Sequence, residues 1–500
     1  MKKTTFFILS GIVLIMFVLL QCKSKKEETI FGIIDKLAHD ITPVPLPINI
    51  MTGFHFPEDS TVINKWTSDT AFENSYDSAS IYKHAWGLWA GLTAQSGQTF
   101  ANDSLLVYET WLSINEVREL IINNKKTCDS FKRMGRAPLS RPKQFEHAAR
   151  FAAKKASLAF NKAPIVTASE KNINFWVTVS YSPDAACYAT QNKIFKQSVI
   201  NTYYKSGEMG AIPSFPTKSM TIKPTYMVYT DTNALFKLPV WITAPVPPDN
   251  KFTSHANSFV FVDKKNKQVI GKVPVPVDSS EKNVNKIAAA TVNLSEFIYL
   301  IVDQQMADEM NKQDSIQVNN SNGGKAKKGQ IALLVAMHVT TKEIKNWTWQ
   351  SYYWTPNRIH PGSPSSNLAA SLRPAQIKGA AANYACVAAY VMLTTPNKIS
   401  NSNANRSMFG YNPYLEAGFD STTFTFANTY NSSYKYGVQS NCMSCHALAI
   451  ADIDSSKYTT DQQINLKDAR YFKNHVSLDF AWSVQSALIP DSTLYRPTKK

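Results

Sequence analysis

The run Asn441-Cys442-Met443-Ser444-Cys445-His446 sets two thiols and an imidazole at a spacing that does chemistry. Thiols three positions apart reach the two vinyl groups of one porphyrin, and the imidazole that follows meets the iron as an axial ligand. With 6 Cys and 9 His in 500 residues, chance supplies this string on the order of 0.001 times per chain. Other chemistries need more than the run contains. A zinc site requires two further ligands, and no second Cys-x-x-Cys and no His-x-x-x-His stands elsewhere. A thioredoxin-like dithiol requires a βαβ setting, which the loop-rich tail does not offer. The expectation is one covalent haem c on Cys442, Cys445 and His446.

Iron held this way presents a second axial position. A small cytochrome fills it with a Met tens of residues downstream, but residues 447–500 hold no Met, and Met443 lies inside the attachment loop. His338 is the first choice of ligand. It stands in the apolar run 331–339 ahead of Trp347 and Trp349, which can wall a cleft. His475, Met337, Met392, Met408 and an open position are the alternatives, and a lone His on a buried strand is more often a hydrogen-bonded core group. His84, beside Trp86 and Trp89, is read as core packing or surface.

The amino terminus bears on where such a group is attached. Lys2 and Lys3 precede a largely apolar run over 6–20, the length of a signal-peptide core and short of the roughly 20 residues a spanning helix needs. Leu19-Leu20-Gln21-Cys22 is similar to a lipobox, so 1–21 is read as the signal and Cys22 as the acylated residue. Residues 22–45 are read as a lipidated tether, with the charged Lys23-Ser24-Lys25-Lys26-Glu27-Glu28 solvated and apolar sequence resuming near Phe31. These features place the chain in a bacterial cell envelope, as a periplasmic or outer-membrane lipoprotein. Haem c is attached outside the cytoplasmic membrane, so export and motif agree.

Losing Lys2 and Lys3 takes the formal charge from +16 to +14. A basic balance suits an anionic membrane surface or an acidic redox partner. No dense Arg/Lys run interleaved with aromatics is present, which argues against nucleic acid. Once Cys22, Cys442 and Cys445 are set aside, Cys128, Cys187 and Cys386 allow at most one disulfide, too few for a cystine framework.

The elements that must position the motif read as an α+β chain long enough for two or three domains. Residues 46–160 are expected to be mainly helical, with an apolar face over 80–92 and a second helix through Val117, Leu120 and Ile121. Residues 161–355 read as β-rich, with strands at 175–181, 225–229, 238–243, 259–262, 269–273 and 330–340. Within that region Asn293 and Glu296 form a capping-box pattern that predicts a helix from 293 to about 311. Residues 380–393 are ambiguous between helix and strand. Residues 356–500 are the haem-binding region, with long loops.

Several stretches resemble a family of large exported bacterial cytochrome c lipoproteins with a single haem motif near the carboxyl end. They are Tyr108-Glu109-Thr110-Trp111 with Ser113 and Glu116, Met337-His338-Val339 leading to Trp347-Thr348-Trp349-Gln350-Ser351, Asn412-Pro413-Tyr414-Leu415-Glu416, and Ser440 to Ala447 around the motif. The resemblance implies haem binding and electron transfer and names no substrate. The expected function is one-electron transfer with a redox partner protein. A peroxidase- or oxidase-type haem enzyme and a partner-binding lipoprotein with a tethered haem are the alternatives.

Overall fold

Strands covered on both faces are buried nearly throughout, and the longest strands of this kind build the centre of the protein. The computed structural model describes residues 41–67, 77–124, 128, 131–133, 135–142, 175–229, 235–241, 258–267, 276–278, 282–317, 326–392, 410–416, 419, 424, 436–451, 458–461 and 464–490. The chain is α+β. Its main sheet is antiparallel and eight-stranded, made of Leu112–Ser113 (β1), Phe175–Val177 (β2), Ser180–Tyr181 (β3), Met220–Tyr229 (β4), Tyr299–Ile301 (β5), Ile331–Thr341 (β6), Thr348–Trp354 (β7) and Tyr384–Ala389 (β8). The order is β8-β7-β6-β4-β3-β1, with β5 also pairing β6 and β2 also pairing β4.

Side chains alternate across a pleated strand, so register decides which residues share a face. Met337 pairs with Pro224 and Tyr352, and this row faces a core built with helix α1 (Ser78–Leu92). Trp89 stacks on Tyr352 with ring centroids 4.5 Å apart, and its indole donates to Ala381 O at 3.0 Å. Trp86 donates to Ala369 O at 2.7 Å. Each indole N–H thus finds an acceptor on burial, and truncating either ring to Ala costs about 3–5 kcal/mol. α1 begins where Asp77 accepts from Ser80 N, and Gly87 lets the helix approach Phe54, whose ring lies 2.0 Å from where a Cβ would stand. The second helix, Ile114–Ile122 (α2), opens on the capping box of Ser113 and Glu116.

The opposite face meets a second core that combines residues of the first 200 with the carboxyl-terminal segments. Leu112, Tyr181, Trp349, Met443, Leu448 and Val484 all belong to it. The main sheet therefore draws β1 from the region expected to be helical and β8 from the region assigned to haem binding. That region shares its core with the rest of the chain. The boundaries at 160 and 355 follow changes of local pattern, whereas strand pairing joins segments far apart in sequence.

Two expectations about single segments are corrected. No helix starts at Asn293: Thr291–Asn293 is a strand, Leu294–Glu296 a single 3-10 turn and Tyr299–Ile301 is β5. The helix is Gln304–Gln317, opened by Asp303, which accepts from Met306 N at 2.7 Å. Glu296 O instead receives the side-chain N–H groups of Asn383 and Trp354, tertiary partners that outweigh the local cap signal. Residues 41–45, assigned to the tether, are packed: Ile41 bridges Arg133, and Val44 O accepts from the Trp111 indole. The ambiguous stretch at 380–393 contains a 3-10 turn, Gly379–Asn383, followed by β8. Residues 46–160 also include the hairpin of Gln95–Phe100 with Asp103–Leu106. Cys128 and Cys187 form a disulfide, and Cys386 is buried and free. The signal, Cys22, Met408 and the expected strand at 269–273 lie outside the described residues.

Candidate haem-binding cleft

A short helix, Cys442–Ala447 (α3), carries the motif. Asn441 caps it by accepting from Ser444 N at 3.1 Å, and Cys442 N donates to Gly410 O at 3.0 Å. At about 100° per residue, positions 442, 445 and 446 fall on one side of a helix. Met443, Ser444 and Ala447 are buried on the other. Cys442, Cys445 and His446 keep partial access, and they open into a cleft with about 1400 Å³ of empty space, its open mouth included.

His446 is held on two sides. Its Nδ1 lies 3.0 Å from Phe480 O, and its ring lies against Trp349 with centroids 4.0 Å apart. A carbonyl only accepts, so Nδ1 carries the proton and Nε2 keeps the lone pair a metal needs. Burial pulls this imidazole down to about 3, against the opposing effect of the Phe480 bond, so it is neutral near pH 7. Burial likewise pushes the Cys442 thiol well above its ordinary value and Cys445 up to about 12. A dithiol oxidoreductase depends on an easily formed thiolate, which these surroundings oppose.

The sheet forms the floor of the cleft. Register sets Thr221, Thr340 and Trp349 in one cross-strand row and Lys223, His338 and Ser351 in the next. His338 Nε2 lies 3.1 Å from Glu416 Oε1, while Glu416 Oε2 accepts from Asn412 N at 2.7 Å. Asn412 in turn donates to Ser351 Oγ at 2.6 Å, so the loop 412–416 is fastened to the strand beneath it. Burial pushes Glu416 up, but His338 and Lys223 beside it leave its carboxyl below the usual range. Burial pulls the Lys223 ammonium down to about 8, against the pull of Glu416.

The cleft brings together Cys442, Cys445, His446, His338, Trp347 and Trp349. The other ligand candidates that are described do not line it. Met337 faces the first core, Met392 packs in the second, and the backbone carbonyl of His475 accepts from Gly210 N. His84 lies in a buried network with Tyr390 OH at 2.6 Å and Glu343 at 3.1 Å. The Tyr108 to Glu116 stretch serves structure: Arg133 binds Glu116 and the carbonyls of Glu109 and Trp111. Sequence reading missed Lys223 and Phe480. A lysine as the one charged residue of strand β4 was a usable signal for the first, but a backbone carbonyl leaves none.

No protein-family model, curated protein or solved structure matches the chain. Among the described residues, no helix is long and apolar enough to cross a membrane, and no group of three or more His, Cys, Asp or Glu is arranged to hold a metal ion. A haem iron asks less of the chain, since the porphyrin supplies four of its ligands.

Proposed function

We propose that this is an exported c-type cytochrome that carries one haem and transfers single electrons. The carrying observation is the sidedness of α3, where Cys442, Cys445 and His446 open into the cleft while Met443, Ser444 and Ala447 anchor the helix. In this reading the thiols of Cys442 and Cys445 would hold the haem covalently, and His446 Nε2 would donate to its iron. When bound, haem supplies an iron that takes up and releases one electron. The chain orients the imidazole through Phe480, packs it with Trp349 and screens it with the surrounding cleft wall. The lipid anchor at Cys22, the envelope location and an acidic redox partner belong to the same proposal, as does membership of the cytochrome c lipoproteins that the sequence resembles.

His338 is the proposed second axial ligand, since it is the one described His other than His446 in the cleft lining. Its Nε2 now meets Glu416, so ligation through that nitrogen replaces this hydrogen bond. The same bond favours a second reading, a haem enzyme in which His338 stays with Glu416 and the iron keeps an open position.

A pyridine haemochrome spectrum of protein exported from a strain competent in haem attachment tests the proposal. One haem c per chain, lost in both Cys442→Ala and Cys445→Ala on a haem-stained denaturing gel, is expected. Normal staining of both variants overturns it. A low-spin ferric spectrum supports electron transfer, and a high-spin spectrum that shifts with peroxide or cyanide supports the enzyme.

A further inference from the structure

The carbonyl that holds His446 comes from an unusual piece of backbone. Asp479 and Phe480 are consecutive non-glycine residues in the left-handed region, with φ of 49° and 67°. A side chain rarely accepts that conformation, so surrounding contacts must impose it. They are present on both flanks. Leu478 N donates to Ala449 O and Ala481 N to Leu478 O, each at 2.9 Å, which ties the turn to the chain just beyond α3. On the other side Lys342 Nζ donates to Asp479 Oδ1 at 2.6 Å, and Phe215 N donates to Asp479 Oδ2 at 2.9 Å. Lys342 is itself held, because Nζ also donates to Lys345 O at 2.8 Å in the connection between β6 and β7.

Asp479 therefore fastens the turn to both the sheet and the 215 segment, and the next residue aims its carbonyl at the motif histidine. A hydrogen bond from Nδ1–H to a fixed acceptor sets the tautomer and orientation of a ligating imidazole and raises its basicity. A more basic imidazole favours ferric over ferrous iron. Resting on the haem reading above, we propose that Asp479 and Lys342 form a positioning pair that fixes His446 through the Phe480 carbonyl and thereby holds the haem reduction potential down.

Two variants of the full-length protein test this, Asp479→Asn and Lys342→Met, each read in two ways. In the haem-loaded protein, both variants are expected to keep covalent haem on a denaturing gel while the midpoint potential moves upward. In haem-free protein with 15N-labelled histidine, NMR is expected to show His446 as the Nδ1–H tautomer in the parent and a gain of the Nε2–H tautomer in the variants. A merely structural role would lower the unfolding midpoint and leave both readouts in place. Parental potential and tautomer in both folded variants overturn the positioning role and leave the haem assignment standing. Absence of covalent haem from the parent overturns the haem reading and the claim about potential, and the tautomer readout then judges the hold on His446 alone. Should one variant fail to fold, the other carries the same readouts.

Discussion

Acid should weaken the haem-free protein through His446, and the size of the effect can be worked out. The Cys442→Ser/Cys445→Ser double variant leaves this imidazole in the cleft with no haem to bind. Its folded value is about 3 against an ordinary 6.5, because burial disfavours the charged form. Between those values the unfolded chain holds a proton that the folded chain does not, so stability rises with pH. The contribution is whole above pH 6.5, shrinks as pH falls below it, and is gone by about pH 3. At about 1.4 kcal/mol per unit, the loss by pH 5 comes to about 2 kcal/mol, and water in the open cleft reduces it to about 1–2 kcal/mol. The assay is urea unfolding by tryptophan fluorescence at pH 8 and pH 5, in the double variant with and without His446→Gln. The substitution should flatten the pH dependence by that amount. Identical pH dependence with and without His446 would refute the claim that the fold keeps this imidazole neutral.

Other outcomes follow from separate contacts. Replacing His338 and His475 separately with Ala should turn a low-spin ferric spectrum high-spin in the His338 variant alone, and a folded His338 variant with the parental spectrum removes it as ligand. Gly437→Ala should destabilise by roughly 1–3 kcal/mol or more, because its Cβ would stand 1.7 Å from Glu416 O, a backbone atom with little room to move; an unchanged urea midpoint counts against that packing. Asn441→Ala should cost about 1 kcal/mol by removing the cap of α3, measured as a shift in the same midpoint. Cys22→Ser should release the protein from membranes or leave its signal uncut, and unchanged mass with unchanged membrane partition points to another anchor.

Local chemistry was legible without coordinates. Cys442, Cys445 and His446 are close in the chain, so their joint capacity follows from spacing alone, and a helical turn needs no distant partner to put them on one side. Apolar residues at helical spacing over 80–92 and through Val117, Leu120 and Ile121 announced α1 and α2, because a 3.6-residue period is set by neighbours in the chain. The capping-box pattern of Asn293 and Glu296 misled, because Trp354 and Asn383 claim the Glu296 carbonyl from far along the chain.

What tertiary structure alone decided are the relations between segments distant in sequence. Register between β4 and β6 sets Lys223 beside His338, and the loop at 412–416 then brings Glu416 onto that pair. A one-residue slip would turn His338 toward the first core and Met337 toward the cleft. The ranking of His338 over Met337 as ligand thus depends on strand pairing that no local pattern encodes. The acceptor for His446 is a main-chain oxygen, and every residue type carries one. Its position depends on Asp479 meeting a lysine from the β6–β7 connection and an amide from residue 215. Spacing singles out the groups proposed to hold a haem, and long-range packing decided how the imidazole is aimed and what else lines the cleft.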